Sequence, residues 1–210
     1  MGFVTEIVSV KGLPKADEFL NDKEFEKYCS LKFEKRKTDW LAGRFAAKKV
    51  ILKALCFKHL GYKDISIEND TDRRPYFKID GKVYPNVLSI SHCENYGLAA
   101  VGNDDNSLLG IDLEIITERP KSWIEEVFNP KELTKTDSFT LTKLWTQKEA
   151  VLKALGLGLS ADLYQIMIIA DKPVFLGKIL RVWQEKGSKQ IKILSKENPK
   201  GFITSTAYDL

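Results

Sequence analysis

Four charged side chains have the types and spacing that could do chemistry. Where apolar and acidic residues alternate, a strand would place Asp112 and Glu114 on one face, two residues apart. Further along, Glu149 and Lys153 are four residues apart and would share one face of a helix. Three carboxylates beside a lysine suit Mg²⁺ held against substrate phosphates, because Mg²⁺ prefers few protein oxygens together with phosphate and water oxygens. The pattern predicts phosphoryl or phosphodiester transfer.

Each of these stretches also fits an ordinary structural role. An edge strand half exposed to solvent alternates in the same way, with Ile111 and Leu113 pointing inward. A Glu/Lys pair at this helical spacing is usually a surface ion pair worth ~0.3 to 0.5 kcal/mol. The combination of the two stretches, together with two further segments, favours a site.

The two further segments carry groups that can bind anions. Arg73 and Arg74 precede a proline, which favours an extended Arg74 and suits bidentate phosphate recognition. A solvated basic turn is the alternative. Ser89 and Ser91 share one face of a strand-like run that ends near His92, and such groups can donate hydrogen bonds to a phosphate. A Ser-His-Asp hydrolase would need a nucleophile elbow such as GxSxG, which the sequence lacks.

The composition is that of a globular chain. Of 210 residues, 43% are hydrophobic and 30% charged, which is enough apolar material for one large or two small domains. A net charge of +4 argues against a broad nucleic-acid surface and fits a small polyanionic ligand better. No apolar run reaches the ~18 residues of a membrane span, and the three cysteines contain no CxxC pair. We expect a cytoplasmic protein that binds neither nucleic acid nor membrane.

The first half of the chain is predicted to run from a strand into a helical stretch and then into short strands. The first strand covers residues 3–10, and the helical stretch extends from about residue 17 to residue 60, ending at Gly61. The short strands are expected near residues 65–67, 76–79, 87–91 and 98–101.

The same order follows a run of five polar turn formers at residues 103–107. A strand contains Asp112, and helical material over residues 123–155 ends at Gly156. An antiparallel meander is expected near residues 165–170, 179–184, 190–194 and 202–207. These patterns predict an N-terminal lobe over residues 1–102 and a C-terminal lobe over residues 108–210.

A short sequence repeat supports two related lobes. Residues 48–55 and 148–155 share five identities in eight positions. Common helix formers can match by chance, but the repeated order of elements favours a pseudo-dimer. Within the repeat, Lys49 stands where the second copy has Glu149, so one lobe offers carboxylates and the other positive charge.

Taken together, the motifs resemble the 4'-phosphopantetheinyl transferases of the Sfp type, which belong to the holo-acyl-carrier-protein synthase superfamily. The resemblance covers essentially the whole chain and rests on four motifs: Arg74-Pro75, Ser89-Ile-Ser-His92, Gly110-Ile-Asp-Leu-Glu114 and Trp145-Thr-Gln-Lys-Glu-Ala150. It implies an α+β pseudo-dimer of two similar lobes, each with a long helix packed on a small, mainly antiparallel sheet.

The resemblance also implies roles for individual residues. Asp112, Glu114 and Glu149 would bind Mg²⁺, with Glu149 also the general base and Lys153 contacting the coenzyme A phosphates. The nucleotide end of coenzyme A, with its 3'-phosphate, would be held by the N-terminal lobe, through Lys27, Arg73, Arg74, Ser89, Ser91 and His92. Many family members have glycine at the position of Arg73, so the loop geometry there is open. The residue between Asp112 and Glu114 varies in the family, which leaves the third metal ligand open as well.

The implied activity is transfer of 4'-phosphopantetheine from coenzyme A to a serine of an acyl or peptidyl carrier protein, releasing adenosine 3',5'-bisphosphate. The implied partners are coenzyme A and the carrier protein, and we expect a monomer. Two alternatives stay open: an Mg²⁺-dependent nucleotide or diphosphate hydrolase, and a non-catalytic module that binds coenzyme A or a carrier.

Overall fold

The structure is a computed structural model that describes residues 2–57, 59–104, 107–158 and 161–209. The chain divides into two compact units, Met1–Ser107 and Leu108–Leu210. Both units combine helices with small antiparallel sheets, which confirms the predicted α+β class. Two members of the polar run, Asp105 and Asn106, lie outside the described residues. Within the described ranges, no helix is long and apolar enough to cross a membrane.

The first unit packs a long helix on a three-stranded sheet. Its strands are β1 (Phe3–Ser9), β2 (Ile65–Asn69), β3 (Pro75–Ile79), β4 (Lys82–Val83), β5 (Leu88–Cys93) and β6 (Tyr96–Gly102). Its helices are α1 (Ala16–Phe19), α2 (Asp22–Ser30) and α3 (Glu34–Leu55). One sheet has the strand order β1-β6-β5 and the other β2-β3-β4. The predicted strands are confirmed, and β4 is an addition.

The predicted helical stretch of the first unit is broken into three helices. Asn21 starts α2 through a capping box, since its Oδ1 accepts a hydrogen bond from the Glu24 amide at 3.0 Å and its own amide donates to Glu24 Oε2 at 3.2 Å. The long helix ends at Leu55, where Cys56 adopts a left-handed conformation with φ of 52°. The prediction that Gly61 ends this helix is therefore wrong.

The second unit also packs a long helix on a three-stranded sheet. Its strands are β7 (Leu109–Ile115), β8 (Ile166–Ile169), β9 (Lys172–Phe175), β10 (Ile191–Glu197) and β11 (Phe202–Asp209). Its helices are α4 (Lys121–Val127), α5 (Ser138–Leu155) and α6 (Gly177–Glu185). One sheet has the order β10-β11-β7, and β8 pairs with β9 in a separate hairpin. Helix α5 ends at Gly156, which has φ of 70°, as predicted.

One predicted strand of the second unit is a helix. Residues 179–184 lie within α6, because Ile179, Val182 and Trp183 follow the i, i+3, i+4 spacing of a helix face. A strand is predicted here as part of a meander, but the helical spacing of the apolar residues decides the structure. The predicted single meander is therefore wrong: it is divided by α6, and β9 was not predicted.

The same buried ion pair occurs in both units. Lys48 Nζ lies 2.5 Å from Glu24 Oε2, and Lys148 Nζ lies 2.6 Å from Glu132 Oε1. Both lysine side chains are 0% exposed. Each ammonium also donates to backbone carbonyls, including those of Phe19 in the first unit and Val127 in the second. Buried charges persist when they are paired and hydrogen-bonded in this way.

The glutamates of these pairs contact equivalent backbone groups. Glu24 Oε1 accepts from the amide of Ile67 in β2 at 3.1 Å, and Glu132 Oε2 accepts from the amide of Ile168 in β8 at 2.8 Å. The second carboxylate oxygen of Glu132 accepts from the amide of Asn129 at 2.8 Å, as Glu24 does from Asn21. The structure therefore aligns α3 with α5 at the offset of one hundred positions that the short repeat indicates.

Candidate functional site

A close approach between α5 and β7 forms the site in the second unit. Gly110 lies on the same face of β7 as Asp112 and Glu114. A Cβ atom on Gly110 would lie 1.9 Å from the carbonyl oxygen of Ala150 and 2.4 Å from the amide of Ala154. Only glycine fits there, so the backbone of α5 can lie directly against the strand. The glycine of the Gly-Ile-Asp-Leu-Glu motif thus sets the distance between the acidic strand and the helix.

Asp112 and Lys153 form an ion pair across this contact. Asp112 is buried, at 4% exposure, and its Oδ1 lies 2.7 Å from Lys153 Nζ. The same ammonium donates to the carbonyl of Ile111 at 3.2 Å. Lys153, predicted to contact coenzyme A phosphates, is therefore already positioned beside the predicted metal ligand.

Glu149 lies on the same helix face, one turn before Lys153, as predicted. Its Oε1 is buried and accepts no hydrogen bond from any described residue. Burial, and then the negative charge of Asp112, raise the pKa of Glu149 to about 7, against an opposing contribution from Lys153. A buried carboxylate oxygen without a donor is energetically costly. A cation bound beside Glu149 would relieve that cost.

Glu114 is held by an aromatic and basic cluster. Its Oε1 accepts from Trp145 Nε1 at 3.1 Å, and its Oε2 lies 3.6 Å from Arg119 Nη2. The Arg119 guanidinium lies 4.8 Å from the ring centroid of Trp123, which packs edge-on against Trp145. Burial and the nearby Asp112 raise the pKa of Glu114. Sequence reasoning gave no role to Arg119, and nothing in its sequence context distinguishes it from other basic residues.

Two of the four residues, Asp112 and Glu149, are suited to hold Mg²⁺. Within the described residues, no group of three or more His, Cys, Asp and Glu side chains is arranged to hold a metal ion. Mg²⁺ commonly uses one or two carboxylates, with substrate phosphates and water completing its octahedron. Asp112 and Glu149 suit that role because the Glu149 oxygen lacks a donor, whereas Glu114 is engaged by Trp145 and Arg119.

The loop of the first unit that carries Arg73 and Arg74 is held by hydrogen bonds to the Asp70 side chain. Asp70 Oδ1 accepts from the amides of Asp72 and Arg74 at 2.9 and 2.8 Å. Arg73 has φ of 65°, a left-handed conformation that favours glycine, and this explains why glycine suits the position. Both arginine side chains are exposed, and β3 begins at the proline that follows Arg74. The loop presents two cations on a fixed backbone.

The serine and histidine motif lies on β5, as predicted, with its groups on two faces. Ser89 and Ser91 are buried and share one face. His92 is half exposed and lies on the other face, where its Nδ1 is 4.0 Å from Asp39 Oδ2. Lys27 is exposed in the last turn of α2. The described contacts do not bring Lys27, Arg74 and His92 into one cluster.

The second unit matches a known family. The family model of the 4'-phosphopantetheinyl transferase superfamily matches residues 108–204. The holo-[acyl-carrier-protein] synthase of Staphylococcus carnosus is 40% identical over 95 residues, which cover 43% of this chain and 77% of the synthase. The synthase of Lactococcus lactis subsp. cremoris is 38% identical over 106 residues, covering 46% and 87%. Each matched segment is about the length of one unit.

This chain is also similar to a solved structure of a holo-(acyl-carrier-protein) synthase. The holo-(acyl-carrier-protein) synthase from Bacillus anthracis, in complex with CoA (3',5'-ADP), is 28% identical, with a TM-score of 0.41. The match covers 48% of this chain and 92% of that chain.

Proposed function

This chain belongs to the 4'-phosphopantetheinyl transferase superfamily, and from that premise we propose that it moves 4'-phosphopantetheine from coenzyme A to a serine of an acyl or peptidyl carrier protein. In this reaction the serine Oγ forms a bond to the phosphorus that bears the pantetheine. The bond from that phosphorus to the bridging oxygen breaks, and adenosine 3',5'-bisphosphate leaves. The serine proton must pass to a base.

Glu149 is the proposed base, and its environment is the observation that carries the proposal. Its carboxylate is buried, lacks a donor at Oε1 among the described residues, and has a pKa raised to about 7. A base with a pKa near the working pH removes a proton most effectively. A solvated glutamate with an ordinary pKa would be a weaker base. Mg²⁺ beside Glu149 would lower this pKa, so the proposed role rests also on the position of Glu149 beside Asp112 and Lys153, the groups proposed to hold the metal and the phosphates.

The remaining charged groups neutralise the pyrophosphate. Mg²⁺ bound by Asp112 and Glu149 would stabilise the negative charge that develops on the phosphate oxygens. Lys153, held by Asp112 at 2.7 Å, would provide an ammonium for the same oxygens. Trp145 and Arg119 orient Glu114, which would support the site electrostatically or serve as a further metal ligand.

The first unit is proposed to bind the nucleotide end of coenzyme A. Arg73 and Arg74 are exposed on the closed loop before β3, and such a loop suits recognition of a 3'-phosphate. Lys27 and His92, with Ser89 and Ser91, complete the proposed set. Each of these residues contributes to binding rather than to the chemical step.

The proposal is tested by the mass of a carrier protein. An apo carrier incubated with coenzyme A, Mg²⁺ and the chain should gain the mass of phosphopantetheine, and chelation of Mg²⁺ should prevent the gain. Asp112→Asn keeps the shape but loses the charge, and should slow the gain by about 10²- to 10³-fold, the usual cost of losing one electrostatic contact to the transition state.

The outcomes also separate the two alternatives. Release of adenosine 3',5'-bisphosphate without any mass gain on the carrier would indicate a hydrolase. Binding of coenzyme A that is independent of Mg²⁺ and without turnover would indicate a binding module. Either result, obtained with several carrier proteins, would overturn the proposed transfer.

A further inference from the structure

The first unit contains a charged cluster that resembles the site of the second unit. Glu6 in β1 faces α3, where its Oε1 lies 2.7 Å from Lys49 Nζ and its Oε2 lies 3.3 Å from Lys53 Nζ. No role was assigned to Glu6 or Lys53 from the sequence. We call these three residues the first-unit cluster.

The strand positions of the two clusters correspond. β1 and β7 are both seven-residue edge strands, and each pairs antiparallel with the central strand of its sheet. Glu6 is the fourth residue of β1, and Asp112 is the fourth residue of β7. Both carboxylates therefore lie at the same place in equivalent sheets.

The helix positions correspond as well. The buried Lys48–Glu24 and Lys148–Glu132 pairs align α3 with α5 at an offset of one hundred positions. At that offset Lys53 matches Lys153. The lysine contacts the strand carboxylate in both units, at 3.3 Å from Glu6 and 2.7 Å from Asp112. The correspondence thus rests on contacts in each unit as well as on the short sequence repeat.

At the three matched positions the two clusters differ in the sign of one charge, and Glu114, on the same strand face as Asp112, is matched by Val8 in β1. The second unit has two carboxylates, Asp112 and Glu149, with one ammonium. The first unit has one carboxylate, Glu6, with two ammonium groups, because Lys49 stands at the position of Glu149. Burial raises the pKa of Glu6, but hydrogen bonds and charge from Lys49 and Lys53 outweigh it and lower that pKa overall. The two ammonium groups already balance the negative charge of Glu6.

We propose that the ammonium of Lys49 replaces, within the first unit, the divalent cation that Asp112 and Glu149 would bind in the second, so that a lysine rather than a glutamate at this position keeps the first unit from being a metal site. The proposal rests on the proposed function in taking the second-unit carboxylates as the cation site. It assigns to the first unit a latent divalent-cation site formed by Glu6 and position 49, with Lys53 beside it as Lys153 is beside Asp112.

The test counts Mn²⁺ ions bound per chain, by calorimetry and by the electron paramagnetic resonance of free Mn²⁺. Wild type should bind one ion and Lys49→Glu two. Lys49→Gln is the matched control and should bind one, since it removes the ammonium without adding a ligand. Combining Lys49→Glu with Glu149→Gln should leave one ion, bound at the first unit. Affinity there should exceed that of the Lys49→Gln, Glu149→Gln chain by about tenfold or more, because added ligand charge strengthens binding of hard cations.

Stability provides a second measurement that does not depend on activity. In EDTA, Lys49→Glu should melt below wild type because two carboxylates then face each other, and Mn²⁺ should restore its melting temperature. Exchanging the charges, as Glu6→Lys with Lys49→Glu, restores an ion pair and should need no Mn²⁺. If Lys49→Glu does not fold, the exchanged chain still tests the pairing. An exchanged chain no more stable in EDTA than Lys49→Gln would overturn the proposal.

The outcomes separate this inference from the proposed function. A wild type that binds no Mn²⁺ even when coenzyme A is present, with one ion bound by Lys49→Glu, would contradict the second-unit metal site and support the latent site. A wild type that binds one ion, with no additional ion in Lys49→Glu, would overturn the latent site and leave the proposed function intact.

Discussion

The two units have the same arrangement of an edge strand against a long helix, and they carry opposite charges at one position of that helix. In each, an edge strand presents a carboxylate to the last turns of a long helix, and a lysine two residues before the helix end contacts that carboxylate. In the first unit Lys49 completes an ion-paired cluster. In the second unit Glu149 adds a carboxylate whose Oε1 has no donor among the described residues. The opposite charges at this helix position separate an ion-paired cluster from an acidic cluster at which we propose that a cation binds.

Substitution of the buried lysines tests whether the two units share this arrangement. Lys48→Ala and Lys148→Ala should each lower the free energy of unfolding by about 3 to 5 kcal/mol, because each leaves a buried glutamate without its partner. Urea denaturation measures both. Lys53→Ala is the control and should cost about 1 kcal/mol or less, since the Lys53 side chain is largely exposed and Glu6 keeps its contact with Lys49. A small loss in either buried variant would break the equivalence of the two arrangements.

The pH dependence of stability should have opposite signs in the two clusters. The pKa of Glu149 is raised from 4.5 to about 7, so the unfolded chain releases this proton before the folded chain does. In EDTA, wild type should therefore lose stability relative to Glu149→Gln as the pH rises from 4.5 to 7. A difference of several degrees is expected, since a pKa unit is about 1.4 kcal/mol and 1 kcal/mol moves the melting temperature by roughly 2 to 4 °C.

The stability that the first-unit cluster contributes should depend on pH in the opposite sense. The pKa of Glu6 is lowered, so its stabilisation is present above 4.5 and is lost as the pH falls through the folded-state pKa. Wild type should be more stable than Lys49→Gln at neutral pH, and the difference should shrink in acid. Differential scanning calorimetry across the pH range measures both comparisons. Parallel profiles for the two variants would show that the clusters do not differ in charge as described.

Substitutions of the residues that follow the two long helices should give the smallest changes in stability. Cys56 and Gly156 both adopt the left-handed conformation after their long helices. Cys56→Gly should raise the free energy of unfolding by about 0.5 to 1 kcal/mol, while Gly156→Ala should lower it by about 1 to 2 kcal/mol. Equilibrium denaturation resolves effects of this size. Stabilisation by Gly156→Ala would contradict the assigned cap geometry.

The candidate site was largely readable from local spacing. Period-two alternation placed Asp112 and Glu114 on one strand face, and the i, i+4 spacing placed Glu149 and Lys153 on one helix face. The structure adds that α5 lies against β7 through Gly110. The hydrogen bond from Trp145 to Glu114 and the contact with Arg119 join residues far apart in sequence, and no local pattern encodes such contacts.

The fold was predictable to a similar extent. Strands and the α5 terminus followed from periodicity and from Gly156. The prediction failed at α6, where a short apolar segment between turns was assigned to the meander although its apolar residues have helical spacing. It also failed where capping divided a helical stretch, as at Asn21. The buried lysines were visible only as a sequence repeat, because burial of a charge depends on carbonyls from other elements.

We propose that the chemical step depends on Asp112, Glu149 and Lys153 of the second unit and not on the first-unit cluster. The direct measurement is the rate of mass gain on an apo carrier for Glu149→Gln and Lys49→Gln, under identical coenzyme A and Mg²⁺. Losing a general base should slow Glu149→Gln by roughly 10²- to 10⁴-fold. Lys49→Gln should stay within about twofold of wild type, because the first-unit cluster is proposed to contribute no group to the chemical step. Equal losses in the two variants, or full activity in Glu149→Gln, would contradict the account.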